Sequence, residues 1–409
     1  MAKRNDKNLI VGLDIGTSKV VALVGEETMD GQLEITGYGM HPSNGLKKGV
    51  VVNIDATVQS IQRAIEEAEL MAGCQIHSAF TGIAGNHIRS LNSHGIVAIR
   101  SQEVTNIDVD RVIDAAKAVA IPADQQILHV LPQEFIIDAQ EGIKDPIGMS
   151  GVRLESRVHM VTGSVSAAQN IVKCVRRCGL EVSDIILEQL ASSYAVLTED
   201  EKELGVCLVD IGGGTTDIAV FIEGAIRHTA VIPIAGDQVT NDIAVALRIP
   251  TQMAEKVKLD AGVALSENAN DGIIQIPAVG ERPKREITQK QLARVIEARY
   301  DELFALVQAE LRRRGFEQLI SSGIVLTGGA SKITGITSMA ERIFQVPVRL
   351  GTPSNITGMP EIINNPIYAT SIGLLMYGQR QSHVRMPLPM RRGVKNVMGK
   401  MKSWFQGNF

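Results

Sequence analysis

Three short stretches of this 409-residue chain carry the residue types that handle phosphate: "DIGTSK" from Asp14, "DIGGGTTD" from Asp210 and "TGGASK" from Thr327. Each follows an apolar run. Glycines at such turns let backbone N–H groups approach an anion closely, and the hydroxyls beside them add donors. The two leading aspartates would repel bare phosphate. They make sense with a divalent cation in between, because Mg2+ keeps most of its waters and takes one or two carboxylates plus phosphate oxygens. Asp14 and Asp210 are therefore expected to hold Mg2+ through water while the turns hold phosphates. A lone Asp-x-Gly is more often just a turn. The signal is two copies at positions 14 and 210 with a third strand–glycine turn behind them. The pattern is neither a GxxxxGK[ST] loop nor a dinucleotide fingerprint.

The elements that must position these turns repeat. "NLIVGLDIG" reads as a buried strand ending in a turn, and "GVCLVDIGGGTTDIAVF" restates it: apolar strand, Asp-Ile-Gly, small hydroxyl residues, apolar strand. This is an internal duplication giving two similarly built lobes. In "DATVQSIQRAIEEAELMAG", Val58, Ile61, Ile65, Ala68 and Met71 share one helical face, with Asp55 as the expected cap and Gly73 as the stop. Residues 83–164 alternate strand-like runs with one helical run, enough for a small separate subdomain. "ITQKQLARVIEARYDELFALVQAELRRRG" is a long helix, with Thr288 and Gln291 as its capping box and Gly315 past its last turn. Residues 379–392 show no periodicity and two prolines, a linker of roughly 45 Å at full stretch.

Composition sets the frame. Hydrophobic content of 44% and charged content of 21% belong to a folded chain, and the length argues for two or more domains. With 3% aromatics the core is aliphatic. The net charge of -4 is uneven: the last 48 residues hold seven Lys or Arg and no acid, so residues 1–361 carry -11, from 34 basic and 45 acidic residues. An acidic body argues against nucleic-acid binding, which needs a basic face. Of four cysteines, Cys174 and Cys178 stand at i,i+4 without a second ligand pair, so plain thiols in a reducing compartment are expected. The first apolar run is too short for a signal peptide, and no run of about 18 apolar residues offers a membrane span. A cytosolic body is expected.

The basic end, "GVKNVMGKMKSWFQGNF", has its own pattern. Val394, Val397, Met398, Met401, Trp404 and Phe405 fall on one helical face, while Lys395, Lys400 and Lys402 fall elsewhere and Arg391 and Arg392 lead in. Such a helix lies in a membrane interface. Anionic lipid attracts it at about 1 kcal/mol per basic residue near the surface, and burying Trp404 and Phe405 adds roughly 2–3 kcal/mol each. The alternative is that the tail docks on its own acidic body.

The phosphate turns "GLDIGTSK" and "VDIGGGTTDIAV", with "VLTGGASKITG", resemble those of the actin, heat-shock chaperone and sugar kinase superfamily, in which ATP lies between two lobes of a ribonuclease-H-like fold. Within it, "KKGVVVNIDA", "LHVLPQEFIID", "GVRLESRVHMVTG", "RHTAVIPIAGDQVTNDIA" and "NITGMPEIINNPIYATSIGLLMYG" resemble the FtsA family of bacterial division proteins over almost the whole chain. The resemblance implies an α/β, actin-like two-lobe fold with an inserted small α+β subdomain and a C-terminal amphipathic helix. Lobe I is expected at 1–82, 165–198 and 355–378, the inserted subdomain at 83–164 and lobe II at 199–354, with its outer subdomain at about 228–310. The linker (379–392) and the membrane-targeting helix (393–409) follow.

Residue by residue, the resemblance implies nucleotide contacts at Asp14, Gly16, Thr17 and Ser18, and at Asp210, Gly212, Gly213, Gly214, Thr215 and Thr216. Gly236 is a further implied nucleotide contact. Glu255 and Lys258, at i,i+3 on one helical face, would serve the ribose and base, against the alternative of an exposed ion pair, and Gly328, Gly329 and Ala330 the adenosine. Lys19 could reach phosphate, but its spacing differs from that in actin, and a surface or structural role is the alternative. Glu188, with Gln189 beside it, is the candidate to orient an attacking water, against a helix-cap or surface acid. The implied cofactors are ATP and Mg2+, with slow hydrolysis at most. The implied partners are the C-terminal tail of FtsZ (through Arg299, Tyr300 and Glu302), other copies of the chain in filaments, anionic lipid, and later division proteins such as FtsN at 83–164. The implied place is the cytoplasmic face of the inner membrane at the division site, as a peripheral protein. A pilus-assembly ATPase relative and a small-molecule kinase of the same fold are the alternatives.

Overall fold

A computed structural model describes residues 9–276 and 285–385. Its organising feature is one sheet built twice. In lobe I the order is Glu181–Leu187, Ser78–Ile83, Leu9–Ile15, Lys19–Glu27, Leu33–Pro42. The first three run parallel and the last three form antiparallel hairpins. Lobe II repeats the plan as Val348–Leu350, Ile324–Thr327, Val206–Ile211, Thr216–Ile222, Ala225–Ile232. The central strands Leu9–Ile15 and Val206–Ile211 are buried almost throughout. Both their faces are covered, which is why they read as unbroken apolar runs and not as alternating ones.

Helices close both faces of each sheet. In lobe I, Ile54–Ala72 covers one face with Ile61, Ala64 and Ala68, and Ala369–Arg385 covers the other with Ile372, Leu374 and Leu375. In lobe II the helix Gln289–Arg314 supplies Leu292, Ile296, Tyr300, Phe304 and Val307 to a second core. Its ends are as expected: Thr288 and Gln291 form the capping box, and Gly315 ends it in a left-handed conformation. The helix Ile54–Ala72 starts differently. Asn53 is the cap, accepting from the Ala56 amide at 3.1 Å, and Asp55 sits in the first turn, where the helix dipole favours an acid without a capping bond.

Residues 84–164 leave lobe I after Ser78–Ile83 and return at the helix Val165–Arg177. They form a four-stranded sheet, Arg89–Ala98, Arg153–Ser164, Gln125–Ile137, Gln140–Ile143, backed by the helix Asn106–Lys117. This unit touches lobe II as well. Ser90 Oγ donates to Thr229 O at 2.8 Å, and Gln133 Nε2 donates to Ile226 O at 2.8 Å.

The linker expected at 379–392 begins too early. The helix Ala369–Arg385 runs through its first seven residues. Gln379 donates to Gly31 O at 2.9 Å, Arg380 stacks 4.4 Å over the Tyr194 ring, and His383 Nε2 lies 2.6 Å from Glu27 Oε1. These contacts are specific to tertiary structure and leave no periodic trace. The amphipathic segment, with Arg391, Arg392 and Val394 to Phe405, lies outside the described residues. Among the described residues no helix is long and apolar enough to cross a membrane.

Candidate functional site

The two Asp-Ile-Gly turns face each other across a cleft of about 430 Å³ between the lobes. Backbone register places the aspartates identically. Asp14 pairs with Val21 across its hairpin and Asp210 pairs with Asp217 across the other, each one residue before its strand ends. Asp14, Gly16, Thr17, Ser18, Asp210, Gly212, Gly213, Gly214, Thr215, Gly236, Glu255, Lys258, Gly328, Gly329 and Ala330 all line this cleft, as does Glu188. The turns approach so closely that a Cβ on Gly213 would lie 1.8 Å from Ser18 Oγ, and one on Gly214 would lie 2.6 Å from Thr17 Oγ1. Gly328 has φ +85, and a Cβ there would meet Asp210 Oδ1 at 2.3 Å.

Electrostatics in the cleft are lopsided. Burial pushes the Asp14 carboxyl up to about 6, Lys19 pulling it back and Asp210 pushing it further. Burial also raises Asp210, against hydroxyl bonds from Ser192 at 2.5 Å and Thr370 at 3.2 Å. Asp217 is pushed up to about 8 by burial and then by Asp210. Glu188 is raised well above the carboxylate range by burial, then by Asp14, Asp217 and Asp210. Facing them is Lys19, partly buried, its own ammonium disfavoured by burial and favoured by Asp14 and Asp210. Lys19 is therefore a cleft residue, and the surface alternative falls.

Carboxylates in this excess over cations suit a divalent ion. Asp217 Oδ1 is buried and has no hydrogen-bond partner, which leaves a lone pair for a water or cation-bound water. Among the described residues no three such ligands are close enough to hold a metal directly. A cation that retains its water shell is the kind that fits, and Mg2+ is of that kind.

The far end of the cleft is walled by Leu259, Tyr300, Ile333 and Thr334. Lys258 Nζ reaches Glu255 Oε2 and Thr240 Oγ1, both at 2.7 Å, and Gly236 O at 3.2 Å. Glu255 and Lys258 therefore form an i,i+3 ion pair, and it is fixed to the start of the helix Gly236–Leu247.

Three expectations, those for Thr216, Tyr300 and Gln189, need correction. Thr216 is buried on its strand and donates to Ile234 O at 2.7 Å, so its hydroxyl is spent away from the cleft. Tyr300 is 2% exposed, and its hydroxyl donates to Ala330 O at 2.8 Å, so it braces the Gly328–Ala330 turn and offers nothing to an outside peptide. Arg299 is held by two bonds to Asp242, at 2.6 and 3.0 Å, and by Glu302. Gln189, beside Glu188, is fully buried with neither amide atom partnered and does not line the cleft. Residues that motif reasoning missed include Asp217, Asp237, Lys332, Thr370 and the hydroxyls of Ser192 and Ser371. Asp217 had a signal, its place seven residues after Asp210. The hydroxyls lie in ordinary helical stretches and had none.

Comparison with known proteins settles the family. Residues 207–373 match the model for "Cell division protein FtsA", and residues 85–162 match "SHS2 domain inserted in FTSA". The chain is 65% identical to the cell division protein FtsA of Pseudomonas aeruginosa, with 100% of both chains covered. The chain belongs to the FtsA family of cell division proteins. That membership sets aside the pilus-assembly and small-molecule kinase alternatives. Solved structures share the fold at low identity. One is a chain of the "PilM-PilN type IV pilus biogenesis complex", with TM-score 0.67 and 17% identity over 90% of this chain and 98% of that one. Another is MreB5 of Spiroplasma citri bound to ADP, with TM-score 0.56 and 16% identity over 93% and 99%. The fold is the actin-like two-lobe α/β fold, carrying the inserted domain typical of the FtsA family.

Proposed function

We propose that this FtsA-family chain binds ATP with Mg2+ between its lobes, assembles into actin-like filaments and ties FtsZ to the membrane. The observation that carries the nucleotide part is the cleft itself: two aspartate-led glycine turns in identical register, with no room for side chains between them. Gly16 to Ser18 and Gly213 to Thr215 offer backbone donors to the phosphates, while the Gly212 amide closes the second turn by donating to Thr215 O at 3.0 Å. Asp14 and Asp210 hold the cation through its waters, one from each lobe. Bound Mg2+ supplies the charge that lets phosphates approach those carboxylates. Glu255 and Lys258 bracket the ribose and base, and Gly328 to Ala330 cover the adenosine.

Glu188 starts its helix on the cleft wall with its charged form disfavoured by burial and by Asp14, Asp217 and Asp210, so it is poorly set to activate water. The site holds nucleotide as an assembly switch, with slow turnover at most. The tail anchors the chain to anionic lipid on the cytoplasmic face of the inner membrane at the division site. One such helix is a marginal anchor, and assembly multiplies weak tails by effective concentration. FtsZ contributes its C-terminal tail, received on the outer face of lobe II near Arg299 and Glu302. The inserted subdomain recruits later division proteins such as FtsN.

The test is co-sedimentation of FtsZ with anionic-lipid vesicles. It is expected only with this chain and ATP present, and it is expected to vanish when residues 393–409 are deleted. Vesicle binding that survives the deletion sinks the membrane part.

A further inference from the structure

The helix Ala369–Arg385 begins at the cleft and ends at the root of the basic tail. Its first turn bonds both cleft aspartates. Ser371 Oγ donates to Asp14 Oδ2 at 3.3 Å, and Thr370 Oγ1 donates to Asp210 Oδ2 at 3.2 Å. Ser192 Oγ joins them, 2.5 Å from Asp210 Oδ2 and 2.9 Å from Thr370 Oγ1. Ser192 and Ser371 are fully buried and Thr370 nearly so. The rest of the helix packs on lobe I, burying Ile372, Leu374 and Leu375 among its strands. Thr370 therefore reaches an aspartate of lobe II from a helix fixed to lobe I.

At 17 residues the helix is about 25 Å long. Past Tyr377 and Arg380, which pack on the rings of Phe80 and Tyr194, its last turns are pinned by polar contacts. Tyr377 donates to Asp184 Oδ2 at 2.9 Å, Gln379 Nε2 lies 3.4 Å from Glu27 Oε1, and His383 Nε2 lies 2.6 Å from that same oxygen. His383 is exposed, so this end is the weakly held one.

We propose that Thr370 and Ser371 are positioning residues that hold one cleft aspartate from each lobe, and that through them this helix carries the occupancy of the cleft to its tail-bearing end. The inference rests on the proposed nucleotide role of the cleft. Drawing Asp210 toward a cation lengthens or breaks the Thr370 bond, and the first turn must then shift against a lobe I core that cannot deform. A rigid helix passes that shift to Gln379 and His383, where polar contacts give way before apolar packing does. Two hydroxyls cross to Asp210, Ser192 from the helix Glu188–Val196 and Thr370 from this one. Thr370 is the crossing hydroxyl that the tail-bearing helix itself carries, so it is the point of coupling. Ser371 is the reference within lobe I.

The experiment uses the full chain and measures hydrogen exchange of the 376–385 amides with ATP plus Mg2+, with ATP plus chelator, and without nucleotide. Nucleotide affinity is measured in parallel. Wild type is expected to show a Mg2+-dependent change in exchange at 376–385. Thr370→Val is expected to lose most of that change and to tighten Mg2+–ATP binding by up to roughly tenfold, because the hydrogen bond it deletes, one to a charged group, holds the unliganded arrangement. Thr370→Ser restores both. Glu27→Gln, at the far end, is expected to raise basal exchange at 379–385 with affinity unchanged, which separates transmission from binding. An unchanged exchange response in folded Thr370→Val overturns the proposal. Absence of ATP binding in wild type overturns the nucleotide reading instead.

Discussion

The two Asp-Ile-Gly hairpins have the same backbone and opposite chemistry. Asp14 and Asp210 occupy matching places, and the loops joining Ile15 to Val20 and Ile211 to Thr216 are the same length. The difference lies five and seven residues on. Lobe I places Lys19 at the fifth and Val21 at the seventh, while lobe II places Thr215 and Asp217. One hairpin brings a cation to the cleft and the other a second carboxylate. On the proposed nucleotide reading, a duplicated scaffold is divided into a half suited to attract phosphate and a half suited to a metal. Neither half is electrostatically complete alone, and closing the lobes joins the two.

Removing the cation is the strongest way to break this arrangement. Lys19→Met leaves Asp14, Asp210, Asp217 and Glu188 facing one another with no lysine at the first turn. Mg2+–ATP affinity is expected to fall roughly a hundredfold or more, following the about 3–5 kcal/mol cost of stripping one partner from a buried charged cluster. Lys19→Arg recovers part of the loss. Equal affinity for wild type and Lys19→Met, by titration of a fluorescent ATP analogue, would show that the first hairpin does not supply the attraction.

The carboxylate half has a pH signature. Asp217, with an ordinary value near 3.8, is pushed up to about 8. The folded chain therefore holds a proton that the unfolded chain has released. The stability this gives is full below about 4 and is lost as pH rises through 8. Without nucleotide or Mg2+, denaturant unfolding at pH 6 and pH 8 should differ by about 1–2 kcal/mol, less than the two-unit ideal because other cleft groups titrate alongside. Asp217→Asn should remove most of that slope and leave lobe I untouched. The same slope in both proteins would mean that another carboxyl carries the proton.

What the sequence disclosed divides along similar lines. The duplication, the strand–turn units, the inserted subdomain and the cleft-facing glycines were legible, because backbone demands at tight turns restrict residue type strongly. Thr370 and Ser371 were not legible, because a hydroxyl in a helix is ordinary and only the tertiary fold brings it to a carboxylate. Tyr300 misled for a related reason. It stands in a polar stretch, RYDE, yet it is the one residue of that stretch turned inward. The helical start of the expected linker was hidden because its anchors, Glu27, Gly31 and Tyr194, lie far away in sequence.

The smallest effect concerns how the two turns touch. A Cβ on Gly213 would press on Ser18 Oγ, whose bond to Asp237 Oδ1 is long at 3.4 Å. That hydroxyl can rotate away. A Cβ on Gly214 would press on Thr17 Oγ1 and Cγ2 and lie 3.0 Å from the backbone Cα of Lys48. Thr17 cannot yield so easily, since its Oγ1 accepts the Gly49 amide at 3.0 Å. Gly214→Ala should therefore cost about 1–2 kcal/mol of Mg2+–ATP affinity, the scale of forced overpacking, while Gly213→Ala should cost less than about half of that. Both variants keep their charges, so the pH slope assigned to Asp217 should stay as in wild type. If Gly213→Ala proved the worse of the two, the hydroxyl of Ser18 would have to be fixed by something stronger than its Asp237 contact, with a ligand phosphate the natural candidate.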